Sequence, residues 1–221
     1  MRKALATTIA VLISGLTIAS AQAALSGNLG ATSNYIWRGQ TQTSDSVGFS
    51  GGLDYAHDSG FYVGTWTSNV DFGDDASYEL DGYFGFGGSI GDFGYDLNYT
   101  YFAYPDGEKL DFSEVGGSVS YSVLTLGANA TASNDDGQKL FKGAYYYYAA
   151  LSFDVGKDLA LGFHIGQSDF DQKYGGKDYV DYNVSLTKTF ALGDATFMIS
   201  DTDIDEDDPK VVVSWSTGFD L

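Results

Sequence analysis

The sequence has no cysteine, two prolines, two histidines and only 11 basic residues, set against 30 acidic ones for a formal net charge of −19. Without a thiol, disulfide scaffolds and cysteine-ligated metal sites are excluded. Scarce Lys and Arg argue against a nucleic-acid partner, because affinity for phosphates comes from basic residues; the acidity otherwise serves solubility and hydration. Only His57 and His164 could act as imidazole bases. Neither lies in a recognisable nucleophile motif, so each reads as a satisfied polar histidine and no enzyme is expected, a hydrolase barrel built on His164 being the alternative. A long amphipathic helix of Ala, Leu, Glu and Lys is also missing. After Ala23 no stretch approaches the ~18 consecutive apolar residues of a spanning helix, so any later membrane crossing must be a closed barrel.

What the chain does have is 29 Gly, 17 Tyr and 15 Phe in 221 residues, a composition of strands and tight turns. Its first 23 residues carry Arg2 and Lys3, an apolar run near Ala10 to Ile18, and Ala21-Gln22-Ala23 as a small-residue cleavage site. That is the pattern of a signal peptide over 1–23, with a transmembrane anchor as the competing reading and 24–221 as one all-β domain. Loss of Arg2 and Lys3 takes the net charge from −19 to −21.

Tyr78 to Tyr104 sets the pattern for the domain. Tyr78, Leu80, Phe84, Phe86 and Ile90 share one parity, with Glu79, Asp81, Gly85, Gly87 and Ser89 on the other. After Gly91-Asp92, Phe93, Tyr95, Leu97, Tyr99 and Tyr101 are opposed by Gly94, Asp96, Asn98 and Thr100. This is the period of two of a β-hairpin, each arm about the ~10 residues of a tilted membrane strand, with aromatic residues near the arm ends. Comparable alternation predicts a first strand over Leu25 to Arg38, a second from Val47, and about twelve strands in all. Aromatics on both faces of Phe61 to Asn69, and the run Tyr145 to Tyr148, blur the parity of two of them. Connections alternate between tight turns and longer loops rich in Asp, Gly and Lys. An up-and-down outer-membrane barrel has periplasmic turns and surface loops that alternate in this way, whereas the alternative, an exported β-sandwich with Greek-key crossovers, has no reason to.

The segments Ser33 to Gln42 (SNYIWRGQTQ), Gly52 to His57 (GLDYAH) and Gly60 to Phe72 (GFYVGTWTSNVDF) resemble the TorF family of proteobacterial outer-membrane porins. The N-terminal third carries most of that resemblance. It implies an outer-membrane, pore-like protein, and supplies no substrate or catalytic residues.

If the apolar parity faces lipid, Arg38, Asp54, Glu79, Asp81, Asp96, Glu114, His164 and Asp181 point inward, which is economical because a charge on the lipid face costs about 2 to 4 kcal/mol for Arg or Lys and less for acids. Two outcomes stay open. An open lumen would pass small hydrophilic solutes or ions and prefer cations, since acidic linings do so; a closed lumen would be plugged by its own salt bridges, Arg38 with nearby carboxylates among them. About twelve strands lies between the filled barrels of about eight and the water-filled ones of about sixteen. The expected partners are outer-membrane lipid and lipopolysaccharide, with no cofactor. Asp201 to Asp208 has a D-x-D-x-D run but lacks the Gly at position six and the Glu at twelve of a calcium loop, so it reads as a solvated acidic loop, with weak divalent binding as the alternative. The glycines of Gly85 to Gly91 lack a following helix and are read as thinning the inner wall, not as a dinucleotide loop.

Overall fold

Alternating residues can satisfy water or lipid on one face and a polar interior on the other only if every strand edge is paired, and a closed cylinder does that. The computed structural model describes residues 24–221; the expected signal segment 1–23 lies outside the described residues. The strands are β1 (Ala24–Thr32), β2 (Ile36–Trp37), β3 (Gln40–Thr41), β4 (Gly48–Ala56), β5 (Phe61–Asn69), β6 (Tyr78–Ile90), β7 (Phe93–Ala103), β8 (Phe112–Tyr121), β9 (Leu124–Asn134), β10 (Tyr145–Asp154), β11 (Leu159–Asp169), β12 (Tyr179–Phe190), β13 (Gly193–Thr202) and β14 (Lys210–Asp220). Twelve of them form one closed antiparallel barrel in sequence order, with β1 pairing both β4 and β14, while β2 and β3 form a separate small hairpin. The all-β, up-and-down antiparallel barrel expected from the alternation is the fold observed.

The outer face is an apolar band. Phe49 is 66% exposed and Leu97 64%, and Phe84, Ile165, Val184 and Phe197 share that face. A soluble protein rarely leaves so continuous an apolar surface in water, whereas hydrocarbon accepts it. Toward the tight-turn end the band carries Phe93 stacked on Tyr121 at 4.6 Å. Tyr101 and Tyr182, toward the loop end, donate their hydroxyls to Asp111 and Asp201. The ambiguous parities resolve here: Phe61 and Val63 face out while Tyr62 and Ser68 are buried inside, and Tyr145 and Tyr147 face out while Tyr146 is buried.

The two ends differ. Tight turns such as His57–Gly60, Gly91–Asp92 and Ala191–Leu192 lie at the end that also holds Ala24, opposite Ala56, and Leu221, whose N–H donates to the Leu25 carbonyl. The longer connections lie at the other end, and one of them does not stay outside. The strand expected to run to Arg38 stops at Thr32, and the chain then turns into the barrel, residues 34–43 being buried or half-buried before it re-emerges at Ser44. Tyr35 and Ile36 are consequently buried, and Tyr35 and Trp37, expected on the lipid face, face the interior.

The reason is local. Asn34 uses its side chain to tie the base of this segment together, donating to Asp45 Oδ1 at 2.7 Å and accepting from the Thr41 hydroxyl at 2.6 Å. The tip is the two-residue turn Arg38-Gly39, with φ of 49° and 78°, joining Trp37 to Gln40. Two positive φ values are the requirement of a type I′ hairpin turn, and an X-Gly pair meets it. A Cβ at Gly39 would also run into Thr202 on β13 and Asp181 on β12, while the adjacent Arg38 reaches Glu114 on β8, five strands from β1 the other way round, so the tip stands within the barrel and away from the wall it came from.

Candidate functional site: the barrel interior

The inner face is built by the polar parity of the strands. On β6 that parity presents Glu79, Asp81, Tyr83 and Gly85 in succession, alternate residues being ~7 Å apart along a strand. Inward tyrosines lie across glycines of the neighbouring strand: a Cβ at Gly85 would collide with the ring of Tyr62, and one at Gly166 with that of Tyr146. The expectation that glycines thin the inner wall therefore takes a specific form at Gly64, Gly85, Gly127 and Gly166, where a phenol ring covers the vacated position, whereas Gly52 and Gly116 are met by asparagine side chains.

Those phenols hold the carboxylates. The Tyr83 hydroxyl donates to Asp54 at 2.5 Å, and Asn28 donates to the other oxygen of Asp54 at 3.1 Å. Glu79 accepts from Tyr35 at 2.9 Å on one oxygen and from Tyr104 at 2.6 Å on the other. Asp96 accepts from Tyr62 and from Asn98, each at 2.8 Å. Asp181 accepts from Tyr146 at 3.0 Å, and with its proton so placed the Tyr146 hydroxyl accepts in turn from His164 Nε2 at 2.8 Å. A buried carboxylate is tolerable when charge-assisted hydrogen bonds replace water, and these partners supply them. Asp81 has no such partner: it is 7% exposed and its Oδ1 meets no donor among the described residues.

Arg38 reaches the interior from the hairpin tip, not from the wall where a continuous first strand would have put it. Its guanidinium donates twice to Glu114, at 2.9 and 2.6 Å, and both side chains are almost fully buried. It lies between two rings, 4.1 Å from the centroid of Tyr146 and 4.2 Å from that of Trp37. Planar delocalisation allows the fork geometry and the stacking at once. Opposite Glu114, a β-bulge in β9 shifts the register between Ser113 and Glu114, and Phe112, Ser113 and Glu114 are all buried in succession.

Above this pair, at the loop end, aromatic side chains fill the barrel. Phe112 stacks on Phe102 at 4.4 Å and on Phe141 at 4.6 Å, and Trp37 meets all three edge-on. Tyr35 packs edge-on against Trp66 at 5.4 Å.

Asp54, Glu79, Asp81, Asp96, Glu114, His164 and Asp181 thus sit on the inner face of their strands, and Arg38 joins them through the hairpin. Sequence reasoning missed the tyrosines that hold the acids. A usable signal was present, since Tyr83 shares the parity of Asp81 and Gly85, and Tyr146 opposes the apolar parity of Tyr145 and Tyr147. His57 lies in the first tight turn, its Nδ1 accepting from the Ser59 backbone N–H at 3.1 Å.

The loop after β13 is tied internally. Partial burial alone would raise the Asp207 carboxyl, but the Lys210 ammonium at 2.6 Å and the Thr202 hydroxyl at 2.6 Å outweigh it and hold the group below the usual carboxylate range. Asp205 pairs with Lys177 at 3.0 Å. Among the described residues no three His, Asp or Glu side chains converge as a metal site.

Comparison with solved structures gives the fold a context. The KdgM porin is similar at a TM-score of 0.61 and 7% identity, covering 89% of this chain and 99% of its own. The KdgM porin in complex with disordered oligogalacturonate gives a TM-score of 0.56 at 6% identity, with 88% and 96% covered. The COG4313 outer membrane channel from Pseudomonas putida F1 gives 0.54 at 13% identity, with 91% and 97% covered. At these identities the likeness is one of fold alone, the closed antiparallel β-barrel that those porins and channels have. No curated protein matches the sequence. Residues 17–220 match a family model described as "Bacterial protein of unknown function (Gcw_chp)". The match does not bear the TorF name; what carries over from that resemblance is the coarser statement of a porin-like barrel.

Proposed function

This chain belongs to the Gcw_chp family of bacterial proteins, whose description assigns no function, and we propose one from the barrel interior: an outer-membrane channel for passive diffusion of small hydrophilic solutes or ions that prefers cations. One observation carries the reading. Inside a closed barrel with an apolar exterior, Glu79, Asp81, Asp54 and Asp96 form a file of carboxylates down one arc of the wall, and the one guanidinium among the described residues, that of Arg38, is already neutralised by Glu114. Carboxylates on a confined wall act on an ion at short range, where an effective dielectric below that of bulk water strengthens each contact. The hairpin tip crossing the barrel serves as the constriction. The KdgM relative holds an acidic oligosaccharide; the same acids that would attract cations here would repel such a solute.

On this reading the protein is exported by a signal peptide cleaved after Ala23 and works among outer-membrane lipid and lipopolysaccharide. The test is the reversal potential across a salt gradient in a planar bilayer for three proteins: the parent, the double variant Asp81→Asn with Asp96→Asn, and a variant with the 201–208 loop neutralised. Wall control loses cation preference chiefly in the double variant, and mouth control chiefly in the loop variant. An anion-selective parent overturns the proposal. A second reading, a closed structural or surface-interaction barrel, is favoured by the aromatic packing around Trp37, and a silent parent would establish it.

A further inference from the structure

The interior carboxylates are not equivalent. Asp54, Glu79, Asp96, Glu114 and Asp181 each accept hydrogen bonds from a phenol, an amide or a guanidinium. Asp81 differs from those five in having a buried oxygen that meets no donor although the residue is more than nine-tenths buried; Asp194, at the tight-turn end of β13, has another, but only Asp81 lies between two aromatic residues in the register. Its neighbours are specific. In the barrel register Trp66 lies directly opposite Asp81 on β5, and Phe102 directly opposite it on β7, so two aromatic side chains on the same inner face flank the carboxylate at the ~5 Å spacing of paired strands. Glu79 is the next inward residue, its two oxygens already engaged by Tyr35 and Tyr104.

We propose that Asp81, between Trp66 and Phe102, is a binding subsite for a primary alkylammonium cation. The chemistry of the donor set selects that class. A hard divalent ion needs several oxygens around it, and here one carboxylate is free while each oxygen of its neighbour already accepts a phenol hydrogen bond, with no third acid converging on the pair among the described residues. A primary ammonium supplies the N–H that the unpartnered oxygen lacks, and its weakly hydrated stem and positive charge suit aromatic faces. Arg38 shows the same combination of carboxylate and rings elsewhere in this interior, occupied by a guanidinium from the chain itself. This inference deepens the channel reading and rests on it for its physiological sense, since the subsite would lie on the path of the permeating cation.

The probe is n-butylammonium chloride, titrated calorimetrically into the refolded full barrel in detergent at constant ionic strength, with sodium, tetramethylammonium and butyrate as comparisons. Asp81→Asn should weaken butylammonium binding at least tenfold, Trp66→Leu several-fold, and Asp92→Asn in a tight turn by less than twofold. Tetramethylammonium, which has no N–H, should bind at least tenfold more weakly than butylammonium to the parent, and butyrate not at all. Heat-modifiable gel mobility checks that each variant is folded; should Asp81→Asn not fold, the Trp66→Leu variant and the tetramethylammonium comparison on the parent decide. No butylammonium binding by the parent, equal binding by Asp81→Asn, or equal binding of tetramethylammonium overturns the proposal. Because the titration does not require conduction, a barrel that is silent in a bilayer but binds butylammonium defeats the channel alone, and one that conducts cations without binding it defeats the subsite alone.

Discussion

Arg38 and Glu114 form a buried ion pair, and the consequence of breaking it is asymmetric. Removing one partner leaves an uncompensated charge inside the barrel, so Glu114→Ala is expected to lower unfolding free energy by about 3 to 5 kcal/mol, whereas Arg38→Met combined with Glu114→Leu should lie much closer to the parent. Urea titration followed by tryptophan fluorescence measures both; a double variant as damaged as the single would show that the pair is net stabilising beyond mutual charge compensation. At Asp207 the sign of the pH effect follows from the depressed carboxyl. A group more acidic in the folded protein than in the unfolded chain contributes stability above its unfolded pKa, and that contribution is lost as pH falls through the lower folded value. Amides of the 203–209 loop should therefore lose hydrogen-exchange protection on acidification below about pH 4, and Asp207→Asn should remove that dependence while lowering protection at pH 7. Protection that stays flat through the acid range would contradict the assignment. At this scale Glu79 and Asp81 were legible as inward residues from parity alone. Their different partners were not, because hydrogen bonding depends on rings that come from β1–β2, β5 and the end of β7.

The inturned hairpin is the element that most changes the interior. Replacing residues 36–41 by a short Gly-Ser link should raise single-channel conductance several-fold, since the tip spans from β1 to the wall at Glu114, Asp181 and Thr202. Gly39→Val, by contrast, places a β-branched residue at φ of 78° with a Cβ against Thr202 and Asp181, and should destabilise the tip by about 1 to 3 kcal/mol. Conductance no higher in the deletion than in the parent would mean that the constriction lies elsewhere. The hairpin was readable only in part. Its residues alternate as a strand does, Leu29, Ala31, Tyr35 and Trp37 holding one parity, and nothing in that period announces that the chain leaves the wall at Ser33. The signal lies in Arg38-Gly39 flanked by the polar cluster Asn34, Thr41, Thr43 and Asp45, whose side chains close the base of the turn.

For the whole molecule, the gathering of the tight turns between barrel strands at one end and the longer connections at the other predicts an orientation. In intact cells an impermeant thiol reagent should label single cysteines at Asp136 and Lys173, in the long connections, and should leave Ser59 and Leu192, in the tight turns, unlabelled. The reverse pattern would invert the barrel, and labelling at all four would argue against a membrane location. Cation preference should also weaken with salt, the screening length falling from ~10 Å at 0.1 M to ~3 Å at 1 M; a preference constant across that range would point to carboxylates in direct contact with the ion.

The sequence by itself determined the class of fold, the strand number, the outward and inward faces of most strands, and the alternation of short and long connections. Those follow from a period of two, from turn residues, and from the cost of charge in hydrocarbon, all of which act along the chain within a few residues. Only the tertiary structure decided that residues 34–43 enter the barrel, that Phe61 to Asn69 and Tyr145 to Tyr148 have one definite inner parity, and that Asp54, Glu79, Asp96, Glu114 and Asp181 are held by hydrogen bonds while Asp81 is not. These depend on which strand lies beside which once the barrel closes, as when Gly85 makes room for Tyr62 and Tyr62 reaches Asp96, and a pairing across the barrel leaves no period in the sequence to be read.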